Sequence, residues 1–92
     1  MTRRFSVEFT DQARKQLLKL DSSSQARIVM AAGLLAEDPR PSSAWRLAGA
    51  SALCRVRVGE YRLIYRVFDD RLVVAVARVG HRSSVYRRLD QL

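Results

Sequence analysis

The sequence predicts an α+β fold of order β-α-α-β-β-β, a twisted antiparallel sheet with two helices packed on one face and room for a short C-terminal helix. Three observations carry that prediction. An alternating apolar stretch opens the chain, two successive stretches of helical spacing follow, and three closely spaced alternating runs come after them. A strand, then a helix pair, then a run of strands segregates the helices to one side of the sheet.

The first strand is "RFSVEF", where Phe5, Val7 and Phe9 alternate with Ser6 and Glu8, the pattern of a half-buried strand. Thr10 and Asp11 offer an N-cap. Ala13, Leu17 and Leu20 then recur at helical spacing, with Arg14, Lys15 and Lys19 turned outward. "DSSSQ" ends this helix and starts another, for which Ser22 and Gln25 fit a capping box. Ile28, Ala32 and Leu35 form the apolar stripe of the second helix, and Pro39 and Pro41 stop it. "EDPRPSSAWRLAGASA" is the one long irregular stretch. Three strands follow, roughly Leu53–Val58, Tyr61–Phe68 and Arg71–Val79, with turns at Gly59-Glu60 and Asp69-Asp70. Glycine at the first position of a two-residue turn suits type II′. In the tail, Val85, Leu89 and Leu92 share a helical face.

With 92 residues, a single domain spanning 1–92 is expected. Lys and Arg number 17 against 9 Asp and Glu, a formal charge of +8. Fifteen of the 17 are arginines, and residues 46–92 hold ten of them against Glu60, Asp69, Asp70 and Asp90. The planar guanidinium fork suits bidentate phosphate contacts, so a polyanionic partner is expected. The lone Cys54 has no partner for a disulfide or a metal site and reads as a buried, inert thiol. No metal or cofactor is expected. The basic N-terminus has no apolar h-region behind it, and no stretch approaches membrane-spanning length. A cytoplasmic protein without membrane association is expected.

Alternation divides the sheet into two faces. Cys54, Val56, Val58, Tyr61, Leu63, Tyr65, Val67, Leu72, Val74 and Val76 point towards the helices. Arg55, Arg57, Arg62 and Arg66 point away, and a two-residue turn sets Arg57 directly across from Arg62. Like charges opposite each other destabilise a sheet, and an anion between them converts that repulsion into attraction. The plainer reading is a solvated face whose arginine stems cover Ile64 and Phe68.

The run from "DPRPSSAWRLAG" through "CRVRVGEYRLIYRVFDDRLVVAVARVGHRSSVY" resembles the RelE/ParE superfamily of toxins, and "FTDQARKQLLKLD" resembles its first helix. "RVRVGEYRLIYRV" and "VGHRSSVY" are the most specific pieces. The resemblance implies a microbial-RNase-like fold of the same element order. It also implies the toxin of a type II toxin–antitoxin pair, with a ribosome-dependent, metal-independent mRNA endoribonuclease as the favoured activity. In that chemistry a ribose 2′-OH attacks the adjacent phosphate, leaving a 2′,3′-cyclic phosphate and a 5′-OH. The family's basic strand pair falls on Arg55 and Arg57, its next-strand arginine on Arg62, its late arginine on Arg82 and its C-terminal tyrosine on Tyr86. The best-studied members carry lysine where this chain has Arg55 and Arg57. The exchange keeps phosphate binding but removes a group able to transfer a proton.

Transition-state charge is best met by preorganised cations, a role that falls to Arg57, Arg62 and Arg82. Arginine stays protonated, which leaves Tyr86 and His81 for proton transfer. Histidine is the side chain that titrates nearest neutral pH, although a lone His in a Gly-His-Arg loop also reads as a plain surface residue. Arg55, Arg66 and Arg46 are candidate RNA-phosphate contacts. Trp45 beside Arg46 could stack on bases or, more plainly, cap the core. Two other functions stand beside the nuclease. One is a ParE-type inhibitor of DNA gyrase without nuclease activity, and the other is a non-enzymatic basic nucleic-acid-binding module. The partners implied are a cognate antitoxin, and the ribosome with its mRNA or else gyrase.

Overall fold

The computed structural model describes residues 4–47 and 53–92, so positions 48–52 of the irregular stretch lie outside the described residues. The elements are β1 (Ser6–Phe9), α1 (Asp11–Leu18), α2 (Ser22–Leu34), β2 (Trp45–Arg46), β3 (Leu53–Val58), β4 (Tyr61–Phe68), β5 (Val73–His81) and a single 3₁₀ turn at Leu89–Gln91. The α+β order is as the periodicity predicts except for the two-residue β2, which lies in the stretch read as irregular, and the strands form one five-stranded sheet of order β1-β5-β4-β3-β2.

The meander β3-β4-β5 is antiparallel as expected, and β2 extends it antiparallel at the edge. β1 instead runs parallel to β5, pairing Ser6 with Val73 and Phe9 with Val76, so the sheet is mixed. Alternation fixes which side chains face the core but says nothing of strand direction. Thr10 locks the parallel strand in place: its amide donates to Val76 O at 2.9 Å and its hydroxyl to Ala77 O at 3.3 Å. The same hydroxyl accepts from Ala13 N at 3.1 Å, the predicted N-cap of α1.

The cap of α2 lies one residue earlier than expected. Asp21, not Ser22, accepts from Ser24 N and from the Ser24 hydroxyl, and these bonds hold its carboxyl below the usual carboxylate range. Gln25 makes no capping box; its amide reaches back to Leu20 O at 2.8 Å and closes the turn between the helices. A carboxylate meets the exposed amides at a helix start better than a hydroxyl does. α2 ends at Leu34, before the prolines, with Leu35 as its C-cap.

β5 begins at Val73, two residues later than predicted, because the turn takes Asp69 through Leu72 and Leu72 adopts φ +51. Arg40 clamps this turn through two bonds to Asp69, at 2.7 and 3.1 Å. The β3–β4 turn agrees with type II′: Gly59 has φ +59, and Glu60 is not among the positive-φ residues. A side chain at Gly59 would also place its Cβ 2.9 Å from a guanidinium nitrogen of Arg27 on α2.

The main core lies between the helices and the sheet. Ala13, Leu17, Ile28, Ala32 and Leu35 pack on Val56, Leu63, Tyr65, Val74, Val76 and Val79. Tyr65 is fully buried, its hydroxyl donating to Pro39 O at 2.9 Å, and burial pushes its pKa up. Cys54 is half-buried against this core, with a free thiol. A second, smaller core occupies the opposite face, where Leu53, Ile64 and Val85 are buried among Leu47, Tyr86, Leu89 and Leu92. Val85, Leu89 and Leu92 thus share an apolar face as expected, although only the 3₁₀ turn is helical. Ile64 is buried with tail residues of this second core. Among the described residues no helix is long and apolar enough to cross a membrane.

Candidate active site

The sheet face away from the helices is divided by that second core. One end lies under the tail, and the end next to the β3–β4 turn is open. The register places Arg57 opposite Arg62 and Trp45 opposite Arg55. A cleft of about 320 Å³ is lined there by Ser43, Trp45, Arg55, Arg57 and Arg62, none of them acidic. Three arginines therefore line one concavity. Arg57 is exposed and, among the described residues, has no hydrogen-bond partner. Arg62 folds back on the turn, donating to Gly59 O at 3.0 Å and Tyr61 O at 2.9 Å.

Arg55 joins the cleft to the tail. Its guanidinium donates to the Tyr86 hydroxyl at 2.5 Å and lies near two aromatic rings, 5.2 Å from the Trp45 centroid and 5.5 Å from that of Tyr86. The hydrogen bond and the two ring contacts fix a group that would otherwise sample many rotamers. Gly80, directly across from Arg62, leaves the tail room to pack: a Cβ there would lie 3.2 Å from Val85 Cγ2.

Arg82 stands at the rim. Its Nε donates to Glu60 Oε2 at 2.6 Å and its amide to Glu60 O at 2.8 Å, so the turn residue Glu60 holds the late arginine against the hairpin. His81 is placed differently. It pairs with Tyr61, on the helix side of the sheet, and meets that ring edge-on at 5.9 Å. Its Nδ1 accepts from Ser83 N at 3.1 Å and lies 2.8 Å from the Ser83 hydroxyl, and its Nε2 is 3.9 Å from Glu60. Arg66 is occupied by the tail, donating to Leu92 O at 2.7 Å. Arg46 pairs with Cys54 on β3 and lines a neighbouring cleft. The structure thus brings together Arg55, Arg57, Arg62 and Tyr86, keeps Arg82 at the rim with His81 beside the same Glu60 carboxylate, and sets Arg66 and Arg46 apart.

Two residues that matter here are not apparent from the sequence. Glu60 reads only as a turn residue until its bonds to Arg82 are seen. Arg78 is buried, and its guanidinium donates to the carbonyls of Val85, Arg87 and Arg88, with no carboxylate partner among the described residues. It fastens the segment that carries Tyr86. A lone arginine inside the apolar run "LVVAVARV" was the available signal, since a buried cation requires partners.

The family model described as the ParE toxin of the type II toxin–antitoxin system parDE matches residues 7–86, from β1 to Tyr86. The chain belongs to the RelE/ParE toxin family. Its relatives place it in the RelE-like branch. It is 40% identical over 88 residues to toxin RelG of Mycobacterium tuberculosis, covering 91% of this chain and 98% of that one. Its structure is similar to the toxin–antitoxin complex RelBE2 from the same organism, with a TM-score of 0.78 and 34% identity over 88% of this chain and 94% of the other. It is also similar to the archaeal RelE–RelB complex from Pyrococcus horikoshii, with a TM-score of 0.76 and 27% identity over 92% of this chain and 100% of the other. This RelE-like chain is thus a toxin of a type II toxin–antitoxin system. The match runs through every strand that builds the arginine cleft.

Proposed function

We propose that this toxin is a ribosome-dependent mRNA endoribonuclease. The observation that carries the proposal is the pairing of Arg57 with Arg62 in a cleft without acidic lining, next to an Arg55–Tyr86 bond. A scissile phosphate between Arg57 and Arg62 turns their repulsion into attraction, and the attraction grows as charge accumulates in the transition state. The 2′-oxygen bonds to phosphorus and gives up its proton, the bond from phosphorus to the 5′-oxygen breaks, and the leaving oxygen takes a proton. Tyr86, whose hydroxyl accepts from the cleft residue Arg55, is assigned the proton transfer. Arg82 swings from Glu60 to the phosphate when RNA enters, exchanging one anionic partner for another. His81, facing the helix side, is assigned a structural part at the end of β5.

The solved neighbours with RelB are toxin–antitoxin complexes, and this chain's charge of +8 fits an acidic cognate antitoxin that covers the arginine face. The test is purified toxin on translating ribosomes, with the 5′ ends of a defined mRNA mapped by primer extension. Expected are cuts at A-site codons that are absent from naked RNA and lost in Arg62→Ala. The family model's ParE description favours a second reading, inhibition of DNA gyrase. Growth arrest without cuts, together with blocked supercoiling, would establish that reading instead.

A further inference from the structure

Trp45 is 64% exposed on a two-residue edge strand, so it does not cap the core. Trp45 lines two neighbouring clefts. Arg55, Arg57 and Arg62 line the cleft on one side, of about 320 Å³. Arg40, Arg46 and Cys54 line the other, of about 330 Å³. Arg55 stacks against the indole at 5.2 Å and is itself backed by Tyr86 at 5.5 Å. The indole is therefore held by Arg55, which is itself fixed by its bond to the Tyr86 hydroxyl, while most of the tryptophan stays open to solvent. A large apolar ring left in water beside cations on both sides is the arrangement with which proteins hold single strands: bases stack on the ring and basic groups follow the phosphates.

We propose that Trp45 is a base-stacking platform for single-stranded RNA. It takes the unpaired base next to the phosphate held between Arg57 and Arg62, and Arg46 meets the phosphate beyond. Arg40 is committed to Asp69, which leaves Arg46, among the described residues, as the free cation of the second cleft. Stacking uses the π-face that every base has, so the platform fixes the position of the strand without selecting its sequence. This inference rests on the RNA reading above but not on cleavage.

Trp45 is the only tryptophan in the chain, so its fluorescence reports on this surface alone. The probe is a short single-stranded oligoribonucleotide with 2′-O-methyl riboses, which cannot be cut, compared with an abasic strand of equal length and charge. The intact strand is expected to quench Trp45 and the abasic strand to leave it bright. Trp45→Ala should weaken the intact strand about tenfold, read by anisotropy of a labelled oligonucleotide, while the salt dependence of binding stays unchanged. Circular dichroism checks that the variant folds. Equal quenching by both strands, or unchanged affinity in Trp45→Ala, overturns the proposal. So does a Trp45→Ala variant that loses an antitoxin but binds RNA normally, since the indole then serves a protein partner. No ribosome is present in these measurements. Failure of the nuclease reading therefore leaves a positive result standing, and cleavage without quenching removes the platform alone.

Discussion

Arg57 and Arg62 face each other across the β3–β4 ladder, one residue from either side of the Gly59-Glu60 turn. Such a pair weakens the empty protein and strengthens its hold on an anion. In Arg57→Thr a β-branched neutral side chain removes the repulsion. We expect stability at low salt to rise by roughly 0.2–1 kcal/mol, with the gain fading in 1 M salt as the charges are screened. Cleavage should fall on the order of 10²-fold. Thermal melts at two salt concentrations, with primer extension, check both; a variant that is less stable at low salt contradicts the account.

Tyr86→Phe keeps the ring against Arg55 and removes only the hydroxyl. Affinity for an uncut RNA strand should stay within about twofold, while cleavage falls on the order of 10²-fold, as expected for the loss of a proton-transfer group. Single-turnover rates separate the two quantities. Undiminished cleavage would move the proton transfer away from Tyr86.

Arg78 acts on the site through the tail. Arg78→Met keeps the apolar stem and leaves the carbonyls of Val85, Arg87 and Arg88 without their donor, at a cost of about 1–3 kcal/mol. Hydrogen exchange should quicken at residues 85–88, and cleavage should drop while the salt slope of RNA binding holds, because Arg78 touches no phosphate. Arg78→Lys should restore part of the protection. Unchanged exchange in the tail would contradict its role as a fastener.

Tyr65 makes stability depend on alkaline pH. Burial raises its pKa above the unfolded value of about 10, so the neutral phenol's contribution is fully present below pH 10 and lost as pH rises towards the folded value. Tyr65→Phe loses the bond to Pro39 O and should be about 1 kcal/mol less stable at pH 7. Above about pH 10 the gap should narrow, because only the parent protein must bury or protonate a phenolate. Urea titrations at the two pH values measure this, and an equal gap at both contradicts it.

What the sequence could reveal follows from range. The hairpin was legible down to its register, because a two-residue turn with glycine first leaves one way to pair Arg57 with Arg62. The helix stripes were legible because the spacing of Ala13 and Leu17, or of Ile28 and Ala32, is local. The N-cap was misplaced by one residue because Asp21 and Ser22 both carry suitable oxygens, and which one accepts depends on Ser24. The β1–β5 pairing, the second core and Arg78 were illegible for a shared reason: each joins residues whose meeting is decided by the whole sheet. At the site, the resemblance named Arg82 and Tyr86, but nothing local showed that Glu60 would hold Arg82 at the rim and lie 3.9 Å from His81 as well.

The parallel β1–β5 ladder also bears on how the protein comes to exist. Ser6 must wait for Val73, and such sequence-distant pairings are slow to form because a long loop must be closed first. The two tight hairpins of the meander need no such wait. During synthesis the arginine-bearing hairpin can therefore take shape while the core beneath it is still open, and the segment carrying Arg82 and Tyr86 is translated after all five strands. The first strand thus finds its partner only after the cleft-lining residues are made and shortly before Arg82 and Tyr86 follow.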